Sequence, residues 1–308
     1  MNFLALLLGL GVERLLTHLF HLREFRWLDP LFDWSFLKLS RTSSVVASAG
    51  IILVVLVSLL PVALVSQLLY GTLAHIPYFL FAVVVLLFCL GPRDLLDEGN
   101  DFVNAIELDD TARARQVARE LIEVQREEGD EFDGLDDAIY VQANNRIFAV
   151  VFWFIVLGPL GAWLFRVVDL LRHRAAWQLV KLSHETTQKV TAEPISGASR
   201  TIFYLHGLLA WLPSRLLVVG YMLAGSFDGA LTALKNYVAA TGSSIFSLKV
   251  DMLGWAGQGA TGFSRPEQEE SLEEIAQRAR AAIGLVRRTL WLIWCPVLAI
   301  LTITDWIV

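Results

Sequence analysis

The sequence predicts an all-α, polytopic membrane protein, and three observations carry that prediction. The 308 residues are 55% hydrophobic and only 18% charged, well outside the balance of a soluble domain. From Thr42 to Pro92 there is no Lys, Arg, Asp or Glu. No stretch alternates apolar and polar residues for long enough to make a convincing strand.

The elements follow in order. Met1 to Leu22 reads as a helix inserted for only part of its length, because the apolar run Asn2–Gly11 is followed at once by Glu13 and Arg14, about half of a full span. It lacks the basic start and small-residue cleavage site of a secretory signal. Residues 1–43 are therefore assigned to this helix and a cytoplasmic segment. The uncharged stretch in 44–92 is long enough for a hairpin of two spans, Val45–Leu69 and a shorter Pro77–Gly91, since a crossing helix needs roughly 20 apolar residues. Residues 93–146 hold sixteen of the 31 acidic residues against six basic ones. Within them Ala114, Val117, Ala118, Leu121 and Ile122 recur at helical spacing behind Asp109 and Asp110, so an amphipathic helix of roughly 20 residues ending near Gly129 is expected there.

Residues 147–227 supply the next two spans, Ile147–Phe165 and Thr201–Phe227, the latter interrupted by His206, Pro213 and Arg215. In 228–288, Ser264 and Glu267 stand at capping-box spacing with Pro266 in the first turn. The stripe Ile275, Ala279, Ala282, Ile283 and Val286 then runs on into a last span in 289–308, making soluble and membrane helix one rod. Five spans result. With residues 1–43 inside, eighteen Lys and Arg fall on the cytoplasmic side (five in 1–43, six in 93–146, seven in 228–288) against five outside, all in 172–200, as the positive-inside rule favours. The protein is thus placed in a bacterial inner membrane with its acidic region cytoplasmic.

Composition also excludes functions. A net charge of −6 provides no basic footprint for nucleic acid. Cys89 and Cys295 lie in apolar runs and read as small buried hydrophobes, without the spacing of a disulfide framework or zinc site. Gly257, Gly259 and Gly262 match GxGxxG, but without a preceding strand they read as a flexible loop. His18 and His21 share a helix face with Glu13 nearby, too few ligands for a metal, and no cofactor box is evident. Phe152, Trp153, Phe154, Trp163 and Trp177 read as lipid-facing or belt aromatics.

Ionisable groups at membrane depth are costly and mark functional or paired positions. Glu13, Arg14, Arg166, Asp169, Arg215 and Asp305 are such groups. Either they line a shared polar pocket, or they pair structurally, as Arg166 and Asp169 can at i, i+3.

Several short motifs together carry a resemblance: Glu13-Arg14-Leu15, Trp27-Leu28-Asp29, Asn144-Asn145-Arg146 leading into Phe152-Trp153, Gly158-Pro159 and Gly161-Ala162 followed by Arg166 and Asp169, and Trp211, Pro213 and Arg215. In these the chain resembles the CobD/CbiB superfamily and, within it, the AmpE family of inner-membrane proteins associated with control of β-lactamase induction. The resemblance implies a regulatory role in the response that links cell-wall turnover to β-lactamase expression. It also implies a ligand-binding set of Glu13, Arg14, Asn144, Asn145, Arg146, Arg166, Asp169 and Arg215 that takes a small anionic ligand or a partner; the acidic region is a further place where a soluble cytoplasmic partner could dock. The enzymes of the superfamily, adenosylcobinamide-phosphate synthases, place acidic residues around the Asn of the first motif and ahead of Pro-x-Arg. Ala143 and Ile147, and His206 and Gly207, stand there instead. Carboxylates are the natural magnesium ligands, so their absence speaks against synthase activity, which remains the alternative. A transporter is a weaker one, because no internal repeat is visible.

Overall fold

A computed structural model describes residues 30, 32–35, 43–70, 76–90, 95–122, 132, 134–185, 197–263 and 271–297. Every regular element among them is helical. Among the described residues three helices are long and apolar enough to cross a membrane, Ser44–Leu69, Leu135–Leu157 and Gly197–Ala224, and Ile76–Cys89 is a shorter apolar helix. The chain divides into two compact units, the first comprising residues 1–92, 150–209 and 307–308 and the second 93–149 and 210–306.

In the first unit, α1 (Ser44–Tyr70) and α2 (Ile76–Cys89) form the expected hairpin helices. Apart from Ser44 and Gln67, at the ends of α1, their exposed side chains are apolar, among them Leu53, Leu56, Leu60 and Leu64, the inverse of a soluble helix and suited to lipid. Helix α1 continues through Pro61. In the turn before it, Trp163 Nε1 donates to the Ser58 carbonyl at 2.9 Å. Trp163 and Phe154, expected to face lipid, are instead buried at 7% and 0% exposure, the Trp163 indole N–H having its partner inside.

The span expected at Ile147–Phe165 is shifted. Helix α5 (Leu135–Gln142) runs without interruption through a π-helical turn, Ala143–Phe148, into α6 (Ala149–Leu157). Gly158, in the left-handed region at φ 68°, and Pro159 then end it, and α7 (Pro159–Glu185) starts anew. The next long helix, α8 (Gly197–Ala224), passes through Pro213.

One contact in this unit brings the starts of two long helices together. Thr201 Oγ1 lies 2.7 Å from Ser48 Oγ, and a Cβ on Gly197 would meet Ser44 Cα at 2.6 Å. Helices α1 and α8 therefore begin side by side.

The second unit has the amphipathic helices. The acidic region forms two of them: α3 (Leu95–Glu107), which the sequence reading did not place, and α4 (Thr111–Ile122), which starts behind Asp109 and Asp110 as expected; Gly129, its expected end, lies outside the described residues. Asp110 caps α4 by accepting from Arg113 N at 3.0 Å, and Asp109 makes the turn at φ 56°. Leu95, Phe102, Ala114, Ala118 and Leu121 join a core with residues of α5, of α9 (Phe227–Thr241), of α10 (Met252–Thr261) and of α11 (Leu272–Arg288).

The GxGxxG segment is not a loop. Gly257 and Gly259 lie in α10, and Gly262, at φ 83°, ends it. A Cβ on Gly257 would meet the Tyr140 ring at 2.5 Å, and Gly259 and Gly229 bring the α10 and α9 backbones together. The glycines admit close helix packing rather than phosphate. A capping box stands directly before α11: Ser271 caps, and Ser271 N and Oγ donate to Glu274 Oε2, each at 2.9 Å. Both bonds favour the charged carboxylate and hold its pKa below the usual glutamate value. Ser264 and Glu267 lie outside the described residues. Helix α11 runs on through a second π-helical turn, Thr289–Trp294, to Val297, so the continuous rod is present as far as the described residues reach.

Candidate functional site

The first unit gathers its polar groups on Asp169, which α7 holds fully buried. Arg166 Nη1 reaches Oδ2 at 3.3 Å and Arg172 Nη2 reaches Oδ1 at 3.0 Å, one turn to either side on the same helix. His173 Nε2 stands 3.5 Å from Oδ2, and His206 Nε2, brought by α8, stands 3.4 Å from Oδ1. The pairing of Arg166 with Asp169 is as the sequence suggested. The other three groups were missed as partners, although their offsets on α7, i+3 for Arg172 and i+4 for His173, are those of a shared helix face. Two guanidinium groups on one carboxylate leave it nothing to offer a cation, and among the described residues no His, Cys, Asp or Glu group is arranged for a metal.

In the second unit, the π-helical turn carries Asn144, Asn145 and Arg146. A π turn widens the helix by one residue and recurs at functional sites. Asn144 and Asn145 are 0% and 1% exposed. Asn144 Nδ2 donates to Asn145 Oδ1 at 3.1 Å, which leaves Asn144 Oδ1 and Asn145 Nδ2 buried with no hydrogen-bond partner among the described residues. Flipping both amides reverses the mutual bond and still leaves one donor and one acceptor. Arg146 is committed elsewhere. Its Nη1 meets Glu98 Oε2 at 2.7 Å and its Nε donates to Gln142 Oε1 at 3.2 Å.

Arg215, on α8, donates to the carbonyls of Trp211 at 3.1 Å, Ile245 at 2.8 Å and Ser247, with its guanidinium over the Trp211 ring. It holds a loop, and its Nε is buried without a partner among the described residues.

A further buried centre escaped sequence reasoning. Asp136 Oδ2 accepts from Arg278 Nη2 at 2.7 Å and from Gln258 Nε2 at 3.1 Å, tying α5 to α11 and α10. Arg278 sits within the apolar stripe, three residues after Ile275 and four before Ala282, and that register was the available signal.

The expected site residues thus do not form one pocket within either unit. Arg166 and Asp169 belong to the first, and Asn144, Asn145, Arg146 and Arg215 to the second. Glu13 and Arg14 lie outside the described residues, as do His18, His21 and Asp305.

Apolar helices that carry buried polar clusters define an all-α membrane protein. A family model described as Regulatory signalling modulator protein AmpE matches residues 1–308, the whole chain. The chain belongs to the AmpE family of regulatory signalling modulators. No curated protein and no solved structure matches it.

Proposed function

We propose that this protein modulates signalling from the bacterial inner membrane, in the response that couples cell-wall turnover to β-lactamase induction, by binding a small polar ligand or partner group at Asn144 and Asn145. Membership of a regulatory family supports the role. The observation that carries the site is the buried donor and acceptor left open on the π turn. Leaving such groups unpaired costs about 1–3 kcal/mol each, and a bound polar group offsets that cost. In this reading the acidic region faces the cytoplasm.

The test is genetic. Deleting the gene is expected to change β-lactamase induction by a cell-wall-active antibiotic. Wild-type protein restores the response, whereas Asn144→Leu/Asn145→Leu, present in the membrane at the same level, does not. Unchanged induction in the deletion strain overturns the reading, and a growth defect repaired by a corrinoid favours amide synthesis in its place.

A further inference from the structure

We propose that α9 and the loop that follows it, residues 227–250, are seated in the lipid interface, with Phe246 in the bilayer, and are not an ordinary water-exposed part of the cytoplasmic region. The inference is independent of the ligand site.

Three observations converge. First, the exposed face of α9 is partly apolar. Phe227 is 53% exposed and Leu231 and Val238 are each 37% exposed. At spacings of four and seven they form one stripe along the flank of the helix. Beside it, Lys235 is exposed, as Lys249 is in the loop, which suits anionic headgroups. Asp228 and Asp251, also exposed, stand at the first turn of α9 and at the far end of the loop, away from the middle of the stripe.

Second, the stripe continues a membrane helix. In the same unit the preceding α8, long and apolar enough to span, exposes Leu212, Val219 and Leu223 at 43%, 48% and 59%. Their spacings of seven and four again make one stripe. Only Gly225 and the cap Ser226 separate α8 from α9.

Third, the four carbonyls at the tip of the loop, residues 244–247, are all satisfied by the protein itself. Its carbonyls at Ile245 and Ser247 accept from Arg215, and that of Phe246 accepts from Trp211 Nε1 at 3.1 Å. The Ser244 carbonyl accepts from Ser247 N at 2.9 Å. Phe246 N donates to Ser244 Oγ at 3.1 Å and Ser243 N to Thr241 Oγ1 at 3.2 Å. Irregular backbone next to lipid needs such internal satisfaction, while an aqueous loop does not. Among these satisfied carbonyls, Phe246 is 75% exposed. Trp211 and Arg215, which hold the loop, are residue types that place a polar end in the headgroups and an apolar body below.

The experiment uses the full chain in nanodiscs of phosphatidylcholine and phosphatidylglycerol, with Cys89→Ala and Cys295→Ala, and a nitrobenzoxadiazole label on Phe246→Cys, on Val238→Cys or on Leu108→Cys. Leu108, 80% exposed on the α3–α4 turn, is the aqueous reference. The labels at 246 and 238 are expected to emit to the blue of the 108 label, to lose most of their emission to doxyl-labelled lipid and to lose little to iodide. Iodide quenching at 246 and 238 equal to that at 108 overturns the proposal. So does insensitivity to both quenchers, which means that protein, a second copy or the chain's own residues, covers the stripe.

Discussion

Asp169→Ala is expected to lower the unfolding temperature of the detergent-solubilised protein by on the order of 10 °C. The carboxylate is fully buried and compensates Arg166 and Arg172, whose side chains are only 10% and 20% exposed. Removing one member of a buried ion pair costs about 3–5 kcal/mol because the charge left behind has lost both its partner and its water. In a unit of this size, about 1 kcal/mol moves the midpoint by roughly 2–4 °C. Asp169→Asn separates charge from shape. It keeps the acceptor oxygen and the volume, so a loss close to that of Asp169→Ala assigns the effect to charge, while near wild-type stability assigns it to packing. Thermal unfolding followed by circular dichroism reads both variants. A wild-type midpoint for Asp169→Ala contradicts the cluster.

The second large effect is expected at Gly259. A Cβ there runs into the Gly229 carbonyl oxygen, and a Cβ on Gly229 runs into the Gly259 carbonyl oxygen. The obstacle on each side is backbone and cannot change rotamer, so the α9–α10 pair must part. Overpacking costs about 1–3 kcal/mol even where side chains can move, and Gly259→Val is expected at or above the upper end. Both unfolding temperature and resistance of residues 227–261 to limited proteolysis should fall. Gly284 is the control, since a Cβ there meets nothing within 4 Å. In the middle of α11, Gly284→Ala gains up to about 1 kcal/mol of helix propensity and should raise stability slightly. Equal effects at the two glycines contradict the close crossing.

Where hydrophobic pattern and chain punctuation act locally, the fold was legible. The uncharged run produced α1 and α2 almost as expected, and the stripe Ile275, Ala279, Ala282, Ile283 and Val286 produced α11. What failed depends on distant groups. The helix expected to end at Phe165 stops at Gly158 because a left-handed glycine and a proline outweigh the apolar residues beyond them. Gly257 and Gly259 looked like a loop because their purpose, contact with Tyr140 and Gly229, lies on other helices. Charge counting could not show that Ser44 and Gly197 are neighbours. Of the site, the i, i+3 pairing of Arg166 with Asp169 was readable along one helix, but His206 reaches Asp169 only through tertiary packing. The Asn pair was visible as a motif, and its open donor and acceptor only as geometry.

Native mass spectrometry of the protein ejected directly from its own membrane vesicles, wild type beside Asn144→Leu/Asn145→Leu, tests the open Asn pair most directly. The expected result is a small-molecule adduct on the wild-type chain that is absent from the double variant. The contradicting result is a bare wild-type chain together with a double variant that unfolds at a higher temperature, as follows when two unpaired buried amides give way to apolar side chains with nothing bound to lose.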